Sequence, residues 1–178
     1  MIEITYDIKV YREHLLNKLN PNDIVIELGS HIGKTTQLIA EMLNDGKVIS
    51  LDNSPEAIAI MDDLSNKFNS INFISGDVRL HDTLKGVFKI TNTCDILSID
   101  LGGGYHPDTV FKVYYIWSST FKPKYTIIRN RGLIDFVNSS KTYESIESRE
   151  GWIESSRDSG IPPQIKEFDL WTDKLKDK

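Results

Sequence analysis

The segment Asp23 to Thr36, DIVIELGSHIGKTT, constrains the fold more than any other part of the chain. Ile24, Val25, Ile26 and Leu28 form an apolar run with little polar alternation, as expected of a strand buried on both faces of a parallel sheet. The run carries Glu27 at its end and passes straight into a turn holding Gly29 and Gly33, where the backbone can reverse sharply and come close to a ligand. A helix is predicted from Lys34, Thr35 and Thr36 onward, with Leu38, Ile39, Met42 and Leu43 as its buried face. Strand, glycine turn and helix in that order place a nucleotide-type ligand at a helix N-terminus, beside the carboxyl end of a central strand.

Three kinds of ligand use such a turn, and the spacing separates them. Gly33-Lys34-Thr35 matches the tail of the phosphate-binding pattern GxxxxGK[ST], and Asp95 to Asp100 (DILSID) could serve as the strand whose terminal acid holds Mg²⁺. The first glycine of that pattern would fall at position 28, which is Leu, leaving the loop one residue short of wrapping a β-phosphate. The dinucleotide fingerprint GxGxxG lacks its middle glycine, because Ser30, His31 and Ile32 follow Gly29. Glu27 would repel a phosphate chain but suits a cation. A P-loop-like nucleotide-binding protein stays open as an alternative.

The following strands end in the same way. Lys47 to Asp52 (KVISLD) closes on an acid about 20 residues past the glycine turn, where a carboxylate can accept hydrogen bonds from ribose hydroxyls. Asn53 stands beside it, and Ser54-Pro55 reads as a helix cap with a first-turn proline. Ile71 to Ser75 leads into Gly76-Asp77-Val78, and Asp95 to Asp100 leads into three glycines. In an open α/β sheet the ligand lies across the carboxyl ends of the strands, so these acids share one edge.

On these residues the chain resembles the class I S-adenosylmethionine-dependent methyltransferases. Their first motif, acid-x-Gly-x-small-x-Gly, is matched by Glu27, Leu28, Gly29, Ser30, His31, Ile32 and Gly33, with His31 in place of the small residue. The resemblance runs from Ile24 to Asn130 and implies a Rossmann-like three-layer α/β sandwich, its central sheet mostly parallel with helices on both faces. It implies S-adenosylmethionine as cofactor, bound by Glu27, Gly29, Ser30, Gly33, Asp52, Asn53 and Asp100, with Asp77 on the adenine amino group and the Val78 amide on a ring nitrogen. Seven strands are usual in that family. After the fifth, only Gln164 to Trp171 alternates like a strand, so the closing C-terminal hairpin is expected to be reduced or absent.

The second half should carry the methyl acceptor. Asp100-Leu101-Gly102-Gly103-Gly104-Tyr105-His106 follows the fourth strand, where the resembled family presents the reacting atom. His106 and Asp100 are the candidate proton-transfer groups, and Tyr105 is the candidate orienting group. Arg129 and Arg131 could bind a carboxylate or phosphate on the acceptor, or pair with surface acids. His31, His81, His106 and the acids show no metal-ligand spacing. Val110 to Phe121 is too apolar for a solvent-facing helix and combines core packing with a candidate homodimer face. Ser139 to Ser159 is polar, with Ile146, Trp152 and Ile153 as anchors, and reads either as a helix over the acceptor site or as an arm.

At 178 residues the chain suits one domain spanning residues 1–178. A net charge of -5 and a pI near 5.4 disfavour unaided binding to long nucleic acid, leaving a small-molecule or partner-presented substrate. Cys94, the single cysteine, reads as a core thiol of a reduced, cytoplasmic protein. MIEITYDIKV lacks the signature of a secretory leader, and no apolar run approaches membrane-spanning length. Ile8, Tyr11, Leu15, Leu16 and Leu19 have helical spacing and should pack on the sheet beside the cleft. Two functions are consistent with this reading: methyl transfer, and a non-catalytic S-adenosylmethionine-binding subunit or sensor.

Overall fold

The computed structural model describes residues 1–156. Six strands, β1 (Ile2–Thr5), β2 (Ile24–Leu28), β3 (Lys47–Asp52), β4 (Ile71–Ser75), β5 (Ile96–Ile99) and β6 (Tyr125–Arg129), form one all-parallel sheet in the order β1-β6-β5-β2-β3-β4. The connecting helices are α1 (Ile8–Lys18), α2 (Lys34–Met42), α3 (Pro55–Lys67), α4 (His81–Ile90), α5 (Pro107–Phe121) and α6 (Arg131–Ser139).

Alternate residues of each strand face opposite layers, which sorts the core into two clusters. Tyr11 and Leu15 of α1, Ile39 and Ala40 of α2, and Ala57 and Met61 of α3 pack on Val25, Val48, Ile96 and Ile127. Leu84 and Val87 of α4, Val113 and Trp117 of α5, and Leu133 of α6 pack on Ile26, Ile49, Leu97 and Ile128. The result is the expected three-layer sandwich. From β2 the chain builds outward through β3 and β4, then returns to the other side for β5 and β6. Strand order therefore reverses between β2 and β5, where a parallel α/β sheet opens a ligand crevice at its carboxyl edge.

Several local expectations are corrected. β1 is a strand the sequence reading did not anticipate: Ile2 pairs with Thr126 and Thr5 with Arg129, so the chain's first residues occupy the sheet edge beyond β6. Gln164 to Trp171 lies outside the described residues. Met42 is exposed, because α2 ends there and turns its last side chain away from the sheet, whereas Ile39 and Leu43 are buried. Ser54 occupies the cap position of α3, but its hydroxyl donates to Asp52 instead of capping the helix.

The segment after α6 packs at the amino end of β6, opposite the crevice. Gly151 N donates to the Pro123 carbonyl at 2.9 Å, Thr126 Oγ1 donates to the Gly151 carbonyl, and the Met1 amine donates to the carbonyls of Lys124 and Arg149. Of the expected anchors, Ile146 is exposed, while Trp152 stacks beneath Lys122, whose Nζ lies 3.8 Å from the ring centroid. Cys94 is buried, which pushes its thiol pKa far up. No helix among the described residues is long and apolar enough to cross a membrane.

Candidate active site

The glycine turn between β2 and α2 is held by its neighbours. Gly29 (φ 91°) sits so close to β5 that a Cβ there would lie 2.2 Å from the Asp100 carbonyl oxygen. At Gly33 (φ 71°) a Cβ would lie 2.3 Å from Leu64 Cδ1. Between them His31 adopts a left-handed conformation (φ 46°), uncommon for a residue with a side chain. Its amide is anchored by a 2.7 Å hydrogen bond to Asp52 Oδ2.

Three more of the turn's amides are also committed. Gly29 N and Ser30 N both donate to the Leu51 carbonyl, at 2.9 and 3.0 Å, and Gly33 N donates to the Ser30 carbonyl at 2.9 Å. A phosphate-binding loop works by pointing such amides at its ligand. Here four of them bond to protein, one to a carboxylate.

A cavity of about 330 Å³ opens at the carboxyl edge, lined by Gly29, Asp52, Asn53, Asp77 and Val78 on one side and Gly102, Tyr105 and His106 on the other. It thus brings together residues from four βα junctions. Asp52 accepts from the backbone and hydroxyl of Ser54 through Oδ1 and from His31 N through Oδ2. Each oxygen of a carboxylate has two lone pairs, so outward acceptor capacity remains. Asp77 is gripped by Arg79: Nε donates at 2.9 and 3.1 Å and Nη2 at 2.6 Å. Asp77 therefore comes with a guanidinium that also lines the cavity. Buried Trp117 donates from Nε1 to the Val78 carbonyl at 2.9 Å, fixing that loop from below.

Glu27, Ser30, Gly33 and Asp100 support the cavity without lining it. Glu27 is buried and accepts a 2.6 Å hydrogen bond from Thr36 Oγ1. Burial pushes its pKa up to about 7, with Thr36 opposing the rise and Asp100 and Asp52 adding to it. The buried Ser30 hydroxyl has no partner among the described residues. Asp100 is ion-paired with Arg129, Nη1 to Oδ1 at 3.0 Å; desolvation raises its pKa and the guanidinium opposes that.

Arg129 also donates from Nε to the Tyr6 carbonyl at 2.9 Å, so the two arginines of the Arg129-Asn130-Arg131 triplet have separate roles. Arg129 braces the site from within. Arg131 is exposed at its rim, and among the described residues no carboxylate pairs with it. Asn130 is fully buried, capping α6 through Leu133 N and donating to the Tyr105 carbonyl at 2.8 Å. The Tyr105 hydroxyl lies 3.0 Å from that of Tyr6. Sequence reasoning missed Tyr6, Thr36, Arg79 and Trp117; only Arg79, two residues from Asp77, offered a local signal. Among the described residues no group of three or more His, Cys, Asp or Glu side chains is placed to hold a metal ion.

No family model and no curated protein sequence matches the chain. Solved structures do. An rRNA methylase from Streptococcus thermophilus superposes with a TM-score of 0.54 at 15% identity, covering 75% of this chain and 80% of that one. Aeropyrum pernix fibrillarin in complex with natively bound S-adenosyl-L-methionine superposes with a TM-score of 0.53 at 16% identity, covering 64% of this chain. The fold is that of the class I S-adenosylmethionine-dependent methyltransferases. The chain spans about half the length of several matched proteins, 48% in the case of the fibrillarin. Within this methyltransferase fold, the cavity lies at the reversal of strand order between β2 and β5.

Proposed function

We propose that the protein binds S-adenosylmethionine in the cavity at the carboxyl edge and transfers its methyl group to a small or partner-presented acceptor. The observation that carries this reading is the convergence of Gly29, Asp52, Asn53, Asp77 and Val78 on one cavity of about 330 Å³, within the size range of small-ligand sites. The buried Ser30 hydroxyl, without a partner among the described residues, supports a polar ligand group at the glycine turn. The cofactor supplies an electrophilic methyl on a sulfonium.

The chain's residues have the remaining tasks. Asp52 and Asn53 accept from the ribose, and the Asp77–Arg79 pair and the Val78 amide border the base. Glu27 supplies negative charge beneath the turn, and Asp100, held by Arg129, positions the floor of the methyl-transfer site. The acceptor approaches over Gly102 and Tyr105, with His106 lining the cavity as the candidate group to take a proton where the acceptor must lose one. The committed turn amides favour this reading over a P-loop.

Incubation with methyl-labelled S-adenosylmethionine and the small-molecule, protein and RNA fractions of a cell extract tests it. Label entering any fraction with wild type, and not with Asp52→Ala, supports methyl transfer. Tight cofactor binding with no transfer to any fraction would favour the non-catalytic subunit or sensor.

A further inference from the structure

At the rim of the cavity, three residues from distant parts of the chain meet. Tyr6 follows β1, Tyr105 follows the 3₁₀ turn Gly102–Gly104, and Arg131 opens α6. The two phenol oxygens are 3.0 Å apart, with the rings edge-on at 74° and 6.1 Å between centroids. The Arg131 guanidinium carbon lies 6.0 Å from the Tyr6 ring centroid, and Arg131 also interacts with Tyr105.

The cluster is built rather than incidental. Asn130, fully buried, holds the Tyr105 carbonyl at 2.8 Å, and the Tyr6 carbonyl accepts from Arg129 at 2.9 Å. Gly104 (φ 91°) admits the Tyr6 ring, since a Cβ there would lie 3.2 Å from its Cδ2 and Cε2. Gly132 lets α6 press on α5, a Cβ there falling 2.6 Å from Pro107 Cγ. Both phenols nevertheless remain substantially exposed, and Tyr105 lines the cavity.

The charges and protons of this cluster define what it can hold. Of the two phenolic protons one lies in the Tyr6–Tyr105 bond, leaving one O–H to point outward. Arg131 adds a forked pair of N–H donors with no competing carboxylate among the described residues. Asp100 is already neutralised by Arg129, and Asp7 is turned to the first amides of α1 through Lys9 N and Val10 N. Three outward donors and the charge of Arg131, unpaired among the described residues, suit an anion with three terminal oxygens.

We propose that Tyr6, Tyr105 and Arg131 form the acceptor's anchoring site, and that it binds a phosphate monoester. The assignment of this anion to the methyl acceptor rests on the proposed methyl transfer; the anion site itself does not. Tyr6 and Arg131 are positioning residues, and Tyr105 is the member that reaches the cavity.

The test is an NMR titration of protein carrying ¹³Cζ-labelled tyrosine with inorganic phosphate, phenyl phosphate, dimethyl phosphate and acetate. The Tyr6 and Tyr105 signals are assigned by Tyr6→Phe and Tyr105→Phe. Saturable shifts of both with phosphate and phenyl phosphate are expected, weakened about tenfold or more in Arg131→Gln and only partly restored in Arg131→Lys, which keeps the charge but not the fork. S-Adenosylhomocysteine binding by Arg131→Gln should stay within about twofold of wild type. Phosphate that moves neither signal, or moves them equally in Arg131→Gln, would overturn the site. Acetate or dimethyl phosphate binding as tightly as phenyl phosphate would overturn the monoester assignment. Phosphate binding without any S-adenosylhomocysteine binding would instead sink the methyl-transfer reading and leave the anion site standing.

Discussion

Thr36 Oγ1 donates a 2.6 Å hydrogen bond to Oε2 of Glu27, the one hydrogen bond this buried carboxylate accepts among the described residues. Because one neutral hydrogen bond does not replace a full hydration shell, the Glu27 pKa rises from about 4.5 in the unfolded chain to about 7. The folded protein then binds more protons than the unfolded chain between these values, so stability from this group falls as pH rises from about 4.5 to about 7.

Glu27→Gln keeps an acceptor for Thr36 and removes the buried charge. The variant should be more stable than wild type at pH 8, by roughly 1–3 kcal/mol, with the advantage fading toward pH 4.5. Urea unfolding at both pH values measures this. Equal stability at pH 8 would place the carboxylate in a better-solvated setting than the structure gives it.

The same residue should make cofactor binding pH-dependent. A cationic ligand favours ionised Glu27, so binding below pH 7 must release a proton. Affinity for S-adenosylmethionine should rise about tenfold from pH 6 to pH 8 in wild type and stay nearly flat, and weaker, in Glu27→Gln. Titration calorimetry in buffers of different ionisation enthalpy would count the proton directly.

Arg129→Ala removes the guanidinium that lies 3.0 Å from Asp100 and 2.9 Å from the Tyr6 carbonyl. Left without its partner, the largely buried Asp100 should cost about 2–4 kcal/mol at pH 8 and less at pH 5, where protonation relieves it. Denaturant midpoints at the two pH values check both the size and the direction.

Two glycine substitutions should move in opposite directions. Gly29→Ala meets the Asp100 carbonyl at 2.2 Å and requires φ near 91°, so it should lose several kcal/mol of stability along with ligand binding. Gly86→Ala, inside α4 with nothing within 4 Å of its added methyl, should gain about 0.5–1 kcal/mol. Thermal unfolding of the pair separates close backbone approach from simple helix propensity.

Much of the fold was legible because its information is local. β2 to β6 appear as short apolar runs, and the acids at 27, 52, 77 and 100 mark the carboxyl ends of β2 to β5. β1 was not legible. Four residues, Ile2 to Thr5, carry little periodicity, and their partner β6 lies more than a hundred residues away. The site was legible to the same extent. Asp52, Asn53, Asp77 and Val78 line the cavity from the positions the sequence indicates. The contrast between Arg129 and Arg131, identical residues two apart, depends on which side of β6's end each faces, and only Asp100 and Tyr6 decide it. Tyr6 itself reaches the rim only because β1 exists.

The central claim is that the cavity at the carboxyl edge holds S-adenosylmethionine through Asp52. Calorimetric titration of wild type and Asp52→Ala with S-adenosylmethionine, S-adenosylhomocysteine and ATP with Mg²⁺ tests it most directly. The account predicts binding of both sulfur nucleosides by wild type, a loss of about a hundredfold in Asp52→Ala, and little heat with ATP. Tight Mg²⁺-dependent ATP binding that is lost in Lys34→Ala, with no response to S-adenosylhomocysteine, would contradict it.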